Sequence, residues 1–241
     1  MKIAIIGYGK MGRMVEEIAR ERGHEIVAVV DRPEEWEVFE SRKFQGADVA
    51  IEFSVPSAAV ENVLKCFAAG VPVVSGTTGW QRELPEMKEI CDKGKGTLLW
   101  SSNFSIGVNI FRAVNRRLAE LMNPYPQYKP AMEEVHHIHK LDHPSGTAIT
   151  LAEDIVSVSE RLGQWKEEPA ENAPSGDLPI GCRREGEVPG IHSVIWESPE
   201  DTITITHSAK SRRGFALGAV IAAEWLAGRR GFFSMGDMLG F

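Results

Sequence analysis

The sequence has few cysteines, no long apolar run and no internal repeat. Its 241 residues include three widely spaced cysteines, Cys66, Cys91 and Cys182. An odd number of isolated cysteines gives no disulfide framework and is typical of proteins in a reducing compartment. No stretch approaches the roughly 18 apolar residues that a membrane span needs. We therefore expect a cytoplasmic protein with no membrane partner.

An excess of positive charge is also missing. The formal net charge is −7 and the isoelectric point is near 5.6, which argues against a nucleic-acid partner. Hydrophobic residues make up 43% and charged residues 25% of the chain, as in globular proteins with one large or two modest domains. The first residues run from an apolar strand into a glycine loop, which is not the pattern of a signal peptide.

That glycine loop belongs to a pattern typical of dinucleotide binding. KIAII (2–6) reads as a buried strand, GYGKMG (7–12) follows at once, and MVEEIARERG continues as a helix. Gly7 would permit the turn, Gly9 would let a pyrophosphate approach the backbone, and Gly12 would let helix and strand pack closely. The helix N-terminus would offer N–H groups to the phosphates. The segment predicts a bound dinucleotide, with an ordinary α/β turn as the alternative.

The end of the next strand bears on the choice of cofactor. EIVAVVD ends in Asp31, whose carboxylate would accept hydrogen bonds from the adenosine ribose and favour NADH. Arg32 would pair with a 2′-phosphate and favour NADPH, or else is a solvated loop residue. Lys10 adds a cation near the phosphates. We therefore expect NADH and/or NADPH as the cofactor.

Strands and helices alternate through the first half of the chain. DVAIEFS, VPVVSG and TLLWSSNFS read as strands, separated by the helices PSAAVENVLKCFAAG and QRELPEMKEICDKG. This alternation predicts an α/β fold with a Rossmann-type, doubly wound parallel sheet. Ligands of such sheets lie beyond the carboxyl ends of the strands. GTTGW (76–80) and SSNFS (101–105) stand at two of these ends, so we expect them to line the nicotinamide; ordinary connecting loops are the alternative.

The pattern changes after Asn103. The helices SIGVNIFRAVNRRLAELM and TAITLAEDIVSVSERLG flank a strand, YKPAMEEVHH, and three strand-like runs follow: PIGCRR, GIHSVIWES and DTITITHSA. We predict a dinucleotide-binding domain at 1–104, to which residues 214–241 return with the helix FALGAVIAAEWLAGRRG. Residues 105–213 are predicted to form an α+β domain for substrate binding and oligomerisation.

Four of the seven histidines lie in one short stretch, EVHHIHKLDHPSGTA (134–148). Three interpretations are open: a metal site, a solvated cluster, or a general acid beside an anion pocket. Lys140 beside the histidines and the lack of a nearby cysteine disfavour a metal, so none is assigned. Histidine donates a proton near neutral pH, lysine binds a carboxylate, and Ser145 would cap a helix whose first N–H groups face an anion. The acid and anion pocket is the preferred interpretation.

At these motifs the chain resembles the dihydrodipicolinate reductase family of the bacterial route to lysine and diaminopimelate. The resemblance is carried by GYGKMGR, GTTGW, SSNFSIGVN, EVHHIHKLDHPSGTA and THSAKSRRGFALGAV. It implies reduction of a small dicarboxylate, 4-hydroxy-tetrahydrodipicolinate, by NADH or NADPH, with release of water. Family members are usually homotetramers. A binding module that senses the cofactor without catalysis is the alternative of a different class, and an aspartate-semialdehyde type of dehydrogenase would need a cysteine nucleophile.

The resemblance also implies roles for particular residues. His136 matches the proton donor and Lys140 the catalytic lysine, whereas His137, Gly146 and Thr147 match substrate-binding positions. The cofactor-binding positions implied by the loop pattern and the resemblance are Gly7, Tyr8, Gly9, Lys10, Met11, Gly12, Asp31, Arg32, Gly76, Thr77, Thr78, Ser101, Ser102, Asn103 and Phe104. Strand alternation alone would place His136 and Lys140 on one face and His137 on the other, so we expect the chain to turn here. The chain is shorter than many relatives after Asp31, and Lys10 stands where many have arginine, which bears on cofactor preference.

Overall fold

The computed structural model describes residues 1–32, 35–36, 46–172 and 174–241. By its contacts the described chain divides into two compact units. The N-terminal unit comprises Met1–Ile106 with Arg213–Phe241, and the central unit comprises Gly107–Arg212. The shortened segment noted after Asp31 lies mostly outside the described residues. No helix in the described ranges is long and apolar enough to cross a membrane.

The N-terminal unit is built on a parallel six-stranded sheet. Its strands are β1 (Lys2–Ile6), β2 (Glu25–Val30), β3 (Val49–Glu52), β4 (Val73–Ser75), β5 (Thr97–Trp100) and β11 (Gly231–Phe233). They lie in the order β11-β5-β4-β3-β1-β2. The helices of this unit are α1 (Lys10–Glu21), α2 (Pro56–Ala68), α3 (Leu84–Asp92), α6 (Arg213–Leu226) and α7 (Met235–Leu239).

Both faces of this sheet are buried. Ile3 and Ile5 of β1 join a core that contains the apolar sides of α1 and α6, whereas Ala4 and Ile6 join a second core with residues of α2 and α3. Successive side chains of a strand point to opposite faces, so a strand covered on both sides reads as a continuous apolar run. The predicted Rossmann-type α/β sheet is confirmed.

The central unit contains a mixed five-stranded sheet. Its strands are β6 (Lys129–His136), β7 (Gln164–Lys166), β8 (Asp177–Arg184), β9 (Ile191–Glu197) and β10 (Thr202–Ser208), and its helices are α4 (Ile106–Met122) and α5 (Gly146–Val156). The strand order is β10-β9-β6-β8-β7, in which β6, β8 and β7 run parallel and the β6–β9 and β9–β10 pairs are antiparallel. One face of the sheet and both helices share a core around Trp196.

Several predicted elements end earlier than expected, α6 among them at Leu226, and in two others short polar side chains capture the backbone. Helix α5 ends at Val156, and the Ser159 hydroxyl then accepts the N–H groups of Arg161 and Leu162. Strand β5 ends at Trp100, after which the Ser101 hydroxyl donates to the Asn103 carbonyl. Such local hydrogen bonds compete with helix and strand ladders. Among the strands and α-helices of the described residues, β7, β11 and α7 were not predicted, because with three to five residues each they are too short for a periodic pattern.

Candidate functional site

The glycine loop after β1 leaves space where a pyrophosphate would bind. Gly7 has a φ of +86°, and a Cβ there would lie 2.1 Å from the Phe53 carbonyl oxygen. A Cβ at Gly12 would lie 2.1 Å from the Gly7 carbonyl oxygen, whereas one at Gly9 would meet no described atom within 4 Å. Gly7 and Gly12 are therefore required by close packing, and Gly9 leaves the N-terminus of α1 open to a ligand.

A cavity of about 370 Å³ lies beside this loop within the N-terminal unit. Residues of the loop, of the end of β2 and of the start of α2 line it, among them Gly9, Asp31, Arg32 and Trp36. Asp31 Oδ1 accepts the Tyr8 N–H at 2.6 Å, which joins the end of β2 to the loop. The position and size of the cavity fit the adenosine end of a dinucleotide.

The other predicted residues of the loop differ in their surroundings. The Tyr8 hydroxyl pairs with Glu16, and the Arg13 guanidinium lies 4.5 Å from the centre of the Tyr8 ring. Lys10 is exposed at the start of α1, and Met11 packs partly against the core. The lysine side chain is therefore exposed at the open end of α1, whereas the tyrosine side chain already contacts neighbours on α1.

A buried carboxylate that the sequence analysis missed holds the loop after β4. Glu52, at the end of β3, is fully buried and accepts hydrogen bonds from the hydroxyls of Ser75 at 2.6 Å and Thr77 at 2.7 Å. The Thr77 hydroxyl thus points into the fold, while Thr78 is exposed. Gly76 packs on the Phe53 ring, where a Cβ would lie 2.0 Å from a ring carbon. An acid inside an apolar strand was the available signal for Glu52.

The segment after β5 forms a tight turn. The Ser101 hydroxyl lies between the carbonyl and the N–H of Asn103, and the Asn103 side-chain oxygen accepts the Ser105 N–H at 2.9 Å. Ser102 is exposed. Phe104 is only 2% exposed, and its ring packs edge-on against Phe53. Its side chain fills the core, so any contact of Phe104 with a cofactor would fall to its backbone.

The histidine-rich stretch turns where the strand pattern required it. Strand β6 ends at His136, and the Lys140 N–H donates to the His137 carbonyl at 3.1 Å to close a turn. The expected turn between His136 and Lys140 is therefore confirmed. His136 is buried, His137 is half-buried, and His139 is 67% exposed beside Glu187.

Glu134 forms the centre of a buried network in the central unit. Its side chain is fully buried, and both of its oxygens accept the Ser145 N–H at 3.1 Å. One oxygen lies 3.5 Å from His136 Nδ1 and 3.6 Å from His192 Nε2, and the other lies 3.3 Å from the Arg184 guanidinium. These partners stabilise the carboxylate, so the pKa of Glu134 falls to about 2 despite its burial.

The pKa of His136 is also lowered, but here burial is the main cause. Desolvation, which outweighs the favourable charge of Glu134, lowers the pKa of His136 to about 4. The pKa of His136 is lowered further by His192, Lys140 and Arg184, because positive charge on these neighbours opposes a second positive charge on the ring. In the free protein the ring is therefore neutral at pH 7, and an added anion beside it would favour the protonated form.

Lys140 lies on the turn that Arg184 holds in place. The Lys140 ammonium contacts both carboxylate oxygens of Asp142, at 2.7 and 2.8 Å. The Arg184 guanidinium donates to the carbonyl oxygens of Lys140 at 3.2 Å and of Asp142 at 2.7 Å. A residue of β8 thus fixes a turn more than forty positions earlier in the chain. Sequence analysis missed Arg184 because nothing local links it to the histidines.

Helix α5 begins as predicted, with Ser145 as its N-cap. The Ser145 hydroxyl accepts the Ala148 N–H at 3.2 Å and lies 3.0 Å from His192 Nε2. Gly146 is exposed and Thr147 is half-buried in the first turn. N–H groups of a first helical turn have no carbonyl partner within the helix, and with the dipole they attract an anion. The capped turn is therefore a suitable place for a carboxylate.

The described residues include one group of donor atoms close enough for a metal ion, formed by Glu134, His136 and His192. His137 and His139, two other members of the histidine-rich stretch, do not belong to it. The Arg184 guanidinium already lies against the Glu134 carboxylate, and the Ser145 N–H occupies both of its oxygens. A second cation would be repelled there, so we interpret the group as a proton-handling network.

The chain combines a parallel sheet that carries an open glycine loop with a second unit that contains buried histidines, a lysine and a capped helix. These features are those of an NAD(P)-dependent oxidoreductase that acts on a small anion. The particular family follows from comparison with known proteins. Residues 1–104 match the family described as "Dihydrodipicolinate reductase, N-terminus", and residues 107–239 match "Dihydrodipicolinate reductase, C-terminus". The chain belongs to the dihydrodipicolinate reductase family, and the resemblance seen in its motifs is confirmed.

Individual relatives agree with this assignment. The 4-hydroxy-tetrahydrodipicolinate reductase of Christiangramia forsetii is 47% identical over 239 residues, covering 99% of this chain and 98% of the relative. That of Bdellovibrio bacteriovorus is 36% identical, covering 99% of this chain and 96% of the relative. A dipicolinate-bound dihydrodipicolinate reductase from Paenisporosarcina sp. TG-14 superposes with a TM-score of 0.76 at 20% identity, covering 97% of each chain, which supports the fold.

Proposed function

We propose that the protein reduces 4-hydroxy-tetrahydrodipicolinate to tetrahydrodipicolinate with NADH or NADPH, in lysine and diaminopimelate biosynthesis in the cytoplasm. The reaction consumes one hydride and one proton and releases water and NAD(P)+. The observation that carries the proposal is the buried network of Glu134, His136 and Ser145 beside Lys140, in a chain that shares 47% identity with a reductase of that name. The N-terminal unit is assigned to the cofactor and the central unit to the substrate.

The residues of the N-terminal unit bind and orient the cofactor in this proposal. Gly7 and Gly12 allow the close packing that shapes the loop, Gly9 leaves room for the pyrophosphate at the start of α1, and Lys10 adds a positive charge. The exposed carboxylate of Asp31 accepts hydrogen bonds from the adenosine ribose. When bound, the nicotinamide supplies the hydride. Glu52 acts indirectly, because it holds Ser75, at the end of the neighbouring strand β4, and Thr77, in the loop that follows.

The residues of the central unit bind the dicarboxylate and supply the proton. Lys140 exchanges Asp142 for a substrate carboxylate, and the first N–H groups of α5, at Gly146 and Thr147, bind the same class of anion together with His137. The negative charge of the substrate then raises the pKa of His136, which is about 4 in the free protein. Substrate binding is thus accompanied by proton uptake, and His136 delivers that proton after hydride transfer.

The first experiment is a direct assay. NADH absorbance is followed after the folded protein is added to freshly generated 4-hydroxy-tetrahydrodipicolinate, and a decrease that depends on both protein and substrate is expected. A flat trace with protein that still binds NADH would favour the cofactor-sensing module instead.

Thr147→Val tests the binding role of the first turn of α5. The variant keeps the shape of the side chain and removes its hydroxyl, so we expect KM for the dicarboxylate to rise by about three- to tenfold while kcat changes less than twofold. Steady-state kinetics at saturating NADH measure both constants. A fall in kcat with KM unchanged would instead place the Thr147 hydroxyl in the chemical step.

We also propose that the protein is a homotetramer that associates through the central sheet. On one face of this sheet Ala131, Ile195 and Thr204 lie side by side in register, and a cavity of about 610 Å³ opens on Ala131, Glu133, Arg183 and Ile195. Partly apolar sheet faces of this kind are commonly covered by a second subunit. Light scattering at micromolar concentration is expected to give four times the 26.6 kDa mass of the chain. A stable monomer would contradict the proposal.

A further inference from the structure

A carboxylate of the protein itself fills an anion position at the end of β2. Glu35 Oε2 accepts the N–H of Asp31 at 2.7 Å and the N–H of Arg32 at 3.0 Å. These two hydrogen bonds stabilise the charged form and lower the pKa of Glu35, so the group is an anion at neutral pH. Two successive backbone N–H groups that converge on one oxygen form an anion-binding position.

This position lies at the adenosine end of the cofactor cavity. Asp31, Arg32 and Trp36 all line that cavity, and Glu35 stands between the last two in the sequence. The Lys65 ammonium lies 4.7 Å from the centre of the Trp36 ring, which helps to hold the indole at the cavity wall. In Rossmann-type sheets the residues that follow the second strand meet the adenosine ribose and, in NADPH, its 2′-phosphate.

We propose that Glu35 sets the ratio of NADH to NADPH use by occupying, with its own carboxylate, the backbone N–H groups that a 2′-phosphate would take. The inference rests on the proposed function, because it concerns the cofactor of that reaction. NADH presents a neutral 2′-hydroxyl, which donates a hydrogen bond to the Asp31 carboxylate while Glu35 stays in place. NADPH brings a dianionic phosphate beside two carboxylates, and it gains the two N–H groups and the Arg32 guanidinium only when Glu35 is displaced.

Two substitutions separate the charge of Glu35 from its occupancy of the N–H groups. Glu35→Gln keeps an oxygen that accepts both N–H groups but removes the negative charge, and Glu35→Ala removes both. We expect the ratio of kcat/KM for NADPH to that for NADH to rise about threefold in the first variant and about tenfold or more in the second. The value for NADH should change less than about threefold.

The matched control is Glu25→Gln, at the exposed start of the same strand. It removes one negative charge from β2 outside the cavity, and the cofactor ratio should stay as in the unmodified protein. In the double variant Glu35→Ala with Arg32→Ala, the gain for NADPH should be lost, because the freed phosphate position then lacks its guanidinium.

Dissociation constants for NADH and NADPH without substrate, from calorimetry, give the same comparison independently of turnover. A protein that binds the cofactors but does not reduce the dicarboxylate would overturn the proposed function and still report the effect of Glu35. A NADPH to NADH ratio that stays constant in both Glu35 variants, or equal losses for both cofactors, would show that Glu35 only supports the loop and would overturn the inference.

Discussion

Replacing His136 by glutamine is expected to lower kcat by about a hundredfold or more, the usual effect of removing a general acid. Glutamine keeps a side chain that donates hydrogen bonds but cannot release a proton at neutral pH. NADH binding should be unchanged, because the substitution lies in the central unit and the glycine loop in the N-terminal unit. Lys140→Ala should cause a loss of similar size by removing the charge that holds the substrate carboxylate.

His139→Gln is the matched control for His136→Gln. His139 lies on the same turn but is 67% exposed beside Glu187, so its substitution should leave kcat within about twofold of normal. Near-normal turnover of His136→Gln between pH 6 and 8 would mean that the proton comes from another group.

The pH dependence of kcat/KM is a second test of His136 as the proton donor. Because the pKa of His136 is about 4 in the free protein, kcat/KM should increase as the pH is lowered from 8 towards 5. That increase should be absent from His136→Gln.

Glu134→Gln is expected to cost both stability and turnover. The amide removes the negative charge that favours protonated His136, and the Arg184 guanidinium loses its carboxylate partner. We therefore expect kcat to fall about tenfold or more. The pKa of Glu134 drops from 4.5 to about 2 on folding, which corresponds to about 3 kcal/mol of stability at neutral pH. That contribution is fully present above pH 4.5 and is lost as the pH falls towards 2.

Thermal and urea denaturation of Glu134→Gln and of Glu187→Gln provide the comparison. Glu187 also belongs to the central unit, lies 3.1 Å from the exposed His139, and is 80% exposed, so its substitution should be nearly neutral. At pH 7 the Glu134 variant should be less stable by about 2–4 kcal/mol, and the difference should shrink near pH 3. Equal stability of the two variants at pH 7 would refute the role of Glu134 as the charged centre of the network.

The parts of the molecule that depend on local pattern followed from the sequence. Short stretches of sequence predict the glycine loop, the parallel sheet and the Ser145 cap, because strand period, turn residues and capping residues act on near neighbours. The roles assigned to the individual site residues remain predictions. They rest on the family resemblance and on chemistry that kinetics has to test.

The residues that support the site could not be predicted from the sequence, because it is the register of the sheet that places them beside the site residues. His192 faces Glu134 through the pairing of β9 with β6, and Arg184 reaches the Lys140 turn from the end of β8. Glu52 accepts hydrogen bonds from two hydroxyls that lie 23 and 25 positions away in the sequence. A buried charge is defined by such distant partners, and no periodicity in its own segment identifies them.

The two ends of the chain build one unit, and this constrains the order in which the protein matures during synthesis. Helix α6 covers the sheet face that carries Ile3, Ile5 and Ile51, and β11 extends the sheet beside β5. About the last thirty residues must therefore leave the ribosome before the first hundred have their complete core, whereas Gly107–Arg212 is continuous and gains its partners earlier. Until then the nascent N-terminal unit lacks the cover of α6, and the apolar side chains on that sheet face stay exposed.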